Sequence, residues 1–152
     1  MIDAIVGGSL GGSIRIVWAN GNERGSGRCG TNYHTTAPPA WAKNHITVGA
    51  LNSNDDSVTS FTSWGPTDDG RLKPDISAPG CQSNGDFGVT SCATSGNNSY
   101  TSFCGTSMAS PTVCGLSALI MQDYRAQFPT RPDLRNATLK TLLAHNALDI
   151  EA

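Results

Sequence analysis

Apolar residues along this chain come in short runs, and the period of each run predicts an element. Ile14-Arg15-Ile16-Val17-Trp18 is a β-branched run that stops at Ala19-Asn20-Gly21-Asn22, which reads as a buried strand feeding a loop that continues to Gly30. Ile46-Thr47-Val48-Gly49-Ala50 reads as a second strand, and Val58 to Trp64 alternates well enough for a third, closed by Gly65-Pro66. Between these two, Asn52 to Asp56 is turn chemistry. Pro74 to Ala78 predicts a short strand ended by Pro79-Gly80. Gly88 to Ala93 and Tyr100 to Cys104 flank Gly96-Asn97-Asn98, the spacing of a hairpin.

From Ser107 the pattern changes to small and apolar residues, Met108, Ala109, Val113, Leu116, Leu119 and Ile120 among them, running to about Gln127 before Pro129. Such a segment predicts a helix, and its nearly all-round apolar character predicts that the helix is buried. An amphipathic helix follows from about Pro132 to Ala147, with Leu134, Leu139, Leu142 and Leu143 as its packing stripe. Strands followed by helices at these lengths place the chain in the α/β class with a mostly parallel sheet.

Composition narrows the partners. The 152 residues, 38% hydrophobic, suffice for one core and make a second domain unexpected. Ten basic and twelve acidic residues give a net charge of -2, and no Lys/Arg cluster could track a phosphate backbone, so no nucleic-acid partner is expected. No apolar stretch approaches the roughly 20 residues that span a bilayer, so no membrane segment is expected, and Met1-Ile2-Asp3 lacks the basic start of a secretory leader. Cys29, Cys81, Cys92, Cys104 and Cys114 match no zinc spacing. Four of them lie in Gly, Ser, Thr and Asn-rich stretches, a composition usual in exported proteins where disulfides persist, which points to a secreted or extracytoplasmic setting. The odd count leaves at least one thiol free or bonded outside the chain; the pairing stays open.

The most specific chemistry lies in Gly105-Thr106-Ser107-Met108-Ala109-Ser110-Pro111, where a Gly turn delivers the chain into the long helix. A serine in the first turn of a helix sits beside unpaired N–H groups and a positive dipole end, which favours a developing negative charge. Serine is also a preferred N-cap, and on local chemistry alone the cap is the favoured reading.

The heptapeptide and its surroundings resemble the nucleophile segment of the subtilisin-like serine proteases, the subtilases. Ile46 to Ala50, Phe61-Thr62-Ser63-Trp64-Gly65-Pro66 and Lys73-Pro74-Asp75-Ile76-Ser77-Ala78-Pro79-Gly80 resemble, in order, the segments between oxyanion asparagine and nucleophile in that family, so the similarity covers about residues 14 to 148. The resemblance implies Ser107 as nucleophile and Asn22, within Trp18-Ala19-Asn20-Gly21-Asn22, as the oxyanion-hole side chain. Asn20 departs from the family, which has Ala or Ser there; Gly21 fixes the register. An ordinary turn asparagine is the alternative for Asn22, and the resemblance together with the need for a second donor favours the oxyanion role. The resemblance also implies that the backbone of Ala19, Asn20 and Gly21 lines one wall of the substrate pocket, with Thr106 grouped among the substrate-binding residues. Ser9-Leu10-Gly11-Gly12 looks like the substrate-pairing strand, but too few residues separate it from Gly21 for the intervening helix. Residues 1–13 are therefore read as the remnant of a helix and its loop.

A serine nucleophile needs a base, normally His oriented by a carboxylate. His34, His45 and His145 all follow Asn22, none lies in a His-Gly-Thr setting, and no Asp is followed by Ser/Thr-Gly. The expectation is the C-terminal portion of a single subtilase catalytic domain: a serine endopeptidase acting on polypeptide, inactive as an isolated chain because Asp and His are absent. The alternative is a catalytically inactive interaction module. A lipase-type elbow is absent, since Met108-Ala109 follows Ser107. Part of the sheet around the helix would belong to the absent half, so the chain is expected to hold its missing half or to self-associate. No cofactor is required; Asn52 to Asp56 or Asp68-Asp69-Gly70 could offer oxygens to a structural calcium, though neither has EF-hand spacing. Asn97-Asn98-Ser99 and Asn136-Ala137-Thr138 fit glycosylation acceptors.

Overall fold

In the computed structural model of the chain, residues 1–26, 31–83 and 88–150 are described. Cys29 and the end of the predicted loop to Gly30 lie outside them. The elements in chain order are α1 (Ile2–Val6), β1 (Val17–Ala19), a 3-10 turn (Arg24–Ser26), β2 (Ile46–Asn52), β3 (Ile76–Cys81), β4 (Val89–Cys92), β5 (Tyr100–Phe103), α2 (Thr106–Gln127) and α3 (Asn136–His145). Strands β1, β2 and β3 form a parallel sheet in that order, with Val17 beside Ile46 and Val48 beside Ile76. Strands β4 and β5 form the expected antiparallel hairpin.

The β-branched run of the first strand begins later than its sequence suggests: Ile14 is exposed, and pairing starts at Val17. Strand β3 runs through Pro79-Gly80 instead of ending there. It is an edge strand, Pro79 is exposed, and the register shifts at the facing Leu51/Asn52, so the missing proline N–H costs no ladder bond.

Val58 to Trp64 is not a strand; only an isolated bridge joins Val58 to Leu51. Its alternation was a pattern of hydroxyls. Thr62 Oγ1 accepts from the Ala50 N–H at 3.1 Å and Thr59 Oγ1 donates to the Ala50 carbonyl at 3.0 Å, so side chains take the place of a ladder. Both are buried, as is Ser63.

Helix α2 corrects a second expectation. Thr106, Ala109, Val113, Ser117 and Met121 are its buried residues, a single stripe, while Leu116 and Leu119 are 48% and 64% exposed. The sheet covers one side only; the helix is apolar nearly all round but packed on one face. The core joins Ile46, Val48, Ala50 and Ala78 of the sheet to Ala109 and Val113 of α2 and Leu139 and Leu143 of α3. Helix α3 is shorter than its pattern, and of its predicted stripe Leu142 is 38% exposed. An apolar groove of about 770 Å³ runs between α2, α3 and the tail, lined by Leu116, Ile120, Leu142, Leu148 and Ile150.

Candidate active site

The parallel strands carry the chain to their C-terminal ends, and there β1 releases the segment that meets the start of α2. Asn20 makes the last sheet bond, its N–H donating to Val48 O at 2.9 Å. Gly21 then turns with φ +110, a conformation open to glycine; a Cβ there would lie 2.4 Å from Glu23 Oε2. This turn aims Asn22 at the start of α2.

From the other side, Gly105 leaves β5 with φ +155, and its N–H donates to Gly80 O at 2.9 Å. Gly105 is the N-cap of α2 and contributes no side-chain cap, which leaves the first N–H groups of the helix for other partners. Ser107 is therefore the second helical residue, and the capping reading of its hydroxyl does not hold.

Thr106 joins the two segments. Its N–H and its hydroxyl both donate to Asn22 Oδ1 at 3.0 Å, and its Oγ1 accepts from the Gly21 N–H at 3.2 Å. Two donors on one side of the amide can face only its oxygen, so the Asn22 Nδ2 is the group left over. It lies beside Gly105, within 3.4 Å of where a Cβ would stand, and no described residue accepts from it. Ser107 is exposed, and its hydroxyl has no hydrogen-bond partner among the described residues. An exposed hydroxyl in the first turn of a helix and a carboxamide donor held by its oxygen make a place suited to an oxygen nucleophile and an oxyanion.

A profile described as the subtilase family (Peptidase_S8) matches residues 1–151. The chain belongs to the subtilase family. It is 37% identical over 130 residues to the serine protease AprX of Bacillus subtilis, covering 78% of this chain and 28% of AprX. It is 42% identical over 72 residues to the C5a peptidase of Streptococcus pyogenes, covering 47% of this chain and 6% of that one. Among solved structures, a cold adapted subtilisin-like serine proteinase superposes with TM-score 0.65 at 28% identity, covering 95% of this chain and 40% of that one. The CspB protease of Clostridium perfringens superposes at 0.67 with 26% identity, covering 79% and 24%. The chain thus spans less than half the length of each of these relatives.

In this subtilase the other predicted site residues divide. Ala19 and Gly21 are partly exposed beside Asn22. Asn20 is 2% exposed and Thr106 0%, so their side chains do not reach a substrate; they hold the turn. Asn20 Nδ2 donates to the Ser63 carbonyl and its Oδ1 accepts from Thr36 Oγ1 at 3.0 Å. Ser63 and Glu23, bonded to the same turn, were not singled out in the sequence; Ser63 lay within the Phe61–Pro66 motif, and Glu23 carried no signal.

None of the histidines bonds to Ser107. His34 has a positive φ of 56 and its N–H donates to Gly65 O, His145 is exposed at the end of α3, and His45 is fully buried. His45 pairs with Thr47 Oγ1 at 3.1 Å, and its Nδ1 has no partner. Burial first, then the charge of Lys73, pushes its pKa down to about 4, so the ring is neutral in the folded chain at pH 7.

Next to His45 lies the densest charge cluster of the described residues. Asp75 receives Lys73 at 2.8 Å, Lys140 at 2.7 Å and the Thr47 N–H at 2.8 Å. Burial would raise the Asp75 pKa, yet the bonds from Lys140, Lys73 and Thr47 hold it below the usual carboxylate value.

The disulfide that the sequence left open joins Cys81 to Cys104, the residue before Gly105, across a separation of 23. It closes the base of the hairpin, and loop entropy makes such a bridge worth about 3 kcal/mol. Cys92 and Cys114 are exposed free thiols. No group of three or more candidate metal ligands occurs among the described residues, and the oxygens of the two loops are engaged locally, Asp55 with Ser57 and Ser83 and Asp69 with Thr67 and Arg71. Asn97 is exposed at the hairpin tip; Asn136 is 6% exposed and donates to Asn44 O, so its amide is closed to glycosylation in the fold. Among the described residues no helix is long and apolar enough to cross a membrane.

Proposed function

We propose that this chain supplies the nucleophile and the oxyanion hole of a serine endopeptidase. Ser107 Oγ attacks the peptide carbonyl carbon as a base takes its proton. The tetrahedral O⁻ accepts from Asn22 Nδ2 and the Ser107 N–H, and the intermediate collapses with expulsion of the amine, which takes the proton from the same base. Water then hydrolyses the acyl-enzyme by the same steps, and no cofactor enters. The observation that carries this reading is the Asn22 amide, turned by Thr106 so that its NH₂ is free beside an exposed Ser107. The partly exposed backbone of Ala19 and Gly21 supports a substrate wall there.

We assign the base and its carboxylate to protein outside the described residues, among which no His or Asp bonds to Ser107. The chain covers 40% of the cold adapted relative, and the exposed face of α2 with its groove is the surface we assign to the remainder of the catalytic domain. Light scattering on purified 1–152 should show self-association through that face; a clean soluble monomer counts against the assignment. The disulfide supports an extracytoplasmic setting.

The same missing base favours a second reading, a catalytically inactive interaction module. A fluorogenic peptide assay with a fluorophosphonate probe separates them. The full-length protein should cleave and label at Ser107, and both should vanish in Ser107→Ala; 1–152 alone should do neither. A full-length protein that neither cleaves nor labels establishes the second reading.

A further inference from the structure

The Phe61–Pro66 motif has no part in the chemistry above, yet one of its residues touches the oxyanion turn with every polar group it has. Ser63 is 0% exposed. Its N–H donates to Gly21 O at 2.9 Å, its Oγ accepts from the Glu23 N–H at 3.0 Å and donates to Glu23 Oε2 at 3.0 Å, and its carbonyl accepts from Asn20 Nδ2. Residues 20, 21 and 23 are thus all bonded to one serine, whereas the Asn22 side chain bonds Thr106 instead. Asn20 is held in turn by Thr36, whose own N–H donates to Trp64 O.

We propose that Ser63 and Asn20 are positioning residues for the oxyanion hole, an inference that rests on the protease reading. Thr106 fixes how the Asn22 amide is rotated; Ser63 and Asn20 fix where its Cα sits. A preorganised donor is worth most when it needs no movement as charge develops, and a misplacement of about 1 Å can cost as much as 10²-fold. The clamp uses a residue, Asn20, at which this chain departs from the family pattern. Its amide reaches the Ser63 carbonyl from inside the turn, as an alanine could not.

The test is a double-mutant cycle on the full-length protease, with Ser107→Ala as the control for the reaction itself. Ser63→Ala keeps both backbone bonds and removes the two Oγ bonds. It should lower kcat about tenfold with KM within about twofold, and Asn20→Ala, the second variant should the first not fold, should do the same. In an Asn22→Ala background either substitution should cost less than about twofold, because the donor they position is gone. Losses that multiply with Asn22→Ala, or that fall in KM alone, overturn the proposal while leaving the protease reading intact. Turnover that survives Ser107→Ala overturns both.

Discussion

The two ends of the parallel sheet are built from different chemistry. At the C-terminal ends, Asn20, Asn22, Ser63 and Thr106 form a nearly neutral lattice of amides and hydroxyls around an exposed Ser107, with Glu23 its one carboxylate. At the N-terminal ends, His45, Thr47, Lys73, Asp75 and Lys140 form a buried charged cluster in which the strongly shifted histidine sits. Perturbed pKa values usually point to catalytic sites. Here they point away from the end that we propose as catalytic. The charged cluster satisfies buried ions against one another, which is structural work, whereas the end at Ser107 is held together by amides and hydroxyls. For the proposed site, geometry around Ser107 is the better guide than electrostatics.

The comparison breaks most directly at Ser107. On the proposed function, Ser107→Ala in the full-length protein should lower turnover of a peptide substrate by about 10⁴–10⁶ with no change in stability, since the side chain is exposed and unpaired. The opposite end should respond in the opposite way. Asp75→Ala strands Lys73, whose side chain is 2% exposed, beside Lys140 without a counterion. We expect a loss of about 3–5 kcal/mol in denaturant unfolding, with KM of the remaining folded enzyme unchanged; a change in KM at equal stability would place Asp75 in the site. Asn22→Ala sharpens the contrast: on the proposed function about 2.7–4 kcal/mol of transition-state stabilisation should go, read as a fall in kcat of the folded enzyme, beside a stability loss of about 1–3 kcal/mol because the buried Thr106 donors lose their acceptor.

Legibility followed the same division. The turn into α2 and the place of Asn22 beside it were readable because Gly-Thr-Ser-Met-Ala-Ser-Pro and Gly21 need particular residues at particular backbone positions. The strands around Val17 and Ile46 and the hairpin were readable from β-branched runs and turn residues. What failed was periodicity where polar groups bury. The stretch from Val58 to Trp64 alternates like a strand, but the hydroxyls of Thr59 and Thr62 bridge to Ala50 and that of Ser63 to Glu23, and no pattern of hydrophobicity distinguishes the two. The burial of α2 was misread because apolar sequence reports what a helix can cover, and this sheet covers one stripe of it. Lys73 and Asp75, two residues apart, gave no sign that Lys140 from α3 would close the cluster, a contact set by tertiary packing alone.

The smallest expected effect comes from pH and belongs wholly to the charged end. His45 has a folded pKa near 4 against an ordinary 6.5, because burial and then Lys73 disfavour its charged form; Asp75 and Asp3 pull the other way and Lys140 adds to the depression. Between those values the unfolded chain binds a proton that the folded chain refuses, so stability is full above about pH 6.5 and declines as pH falls toward 4, by at most about 3 kcal/mol. Asp75 acts in a lower window. Its carboxyl titrates below the ordinary 3.8 when folded, so its contribution holds above that value and is lost only as pH falls through the folded pKa. Urea unfolding between pH 7 and 4 should therefore slope in the parent protein and flatten in His45→Gln, which removes the titrating ring. A slope that survives the substitution would assign the acid sensitivity to another group, and with it the idea that the buried imidazole is kept neutral by its place in the cluster would fall.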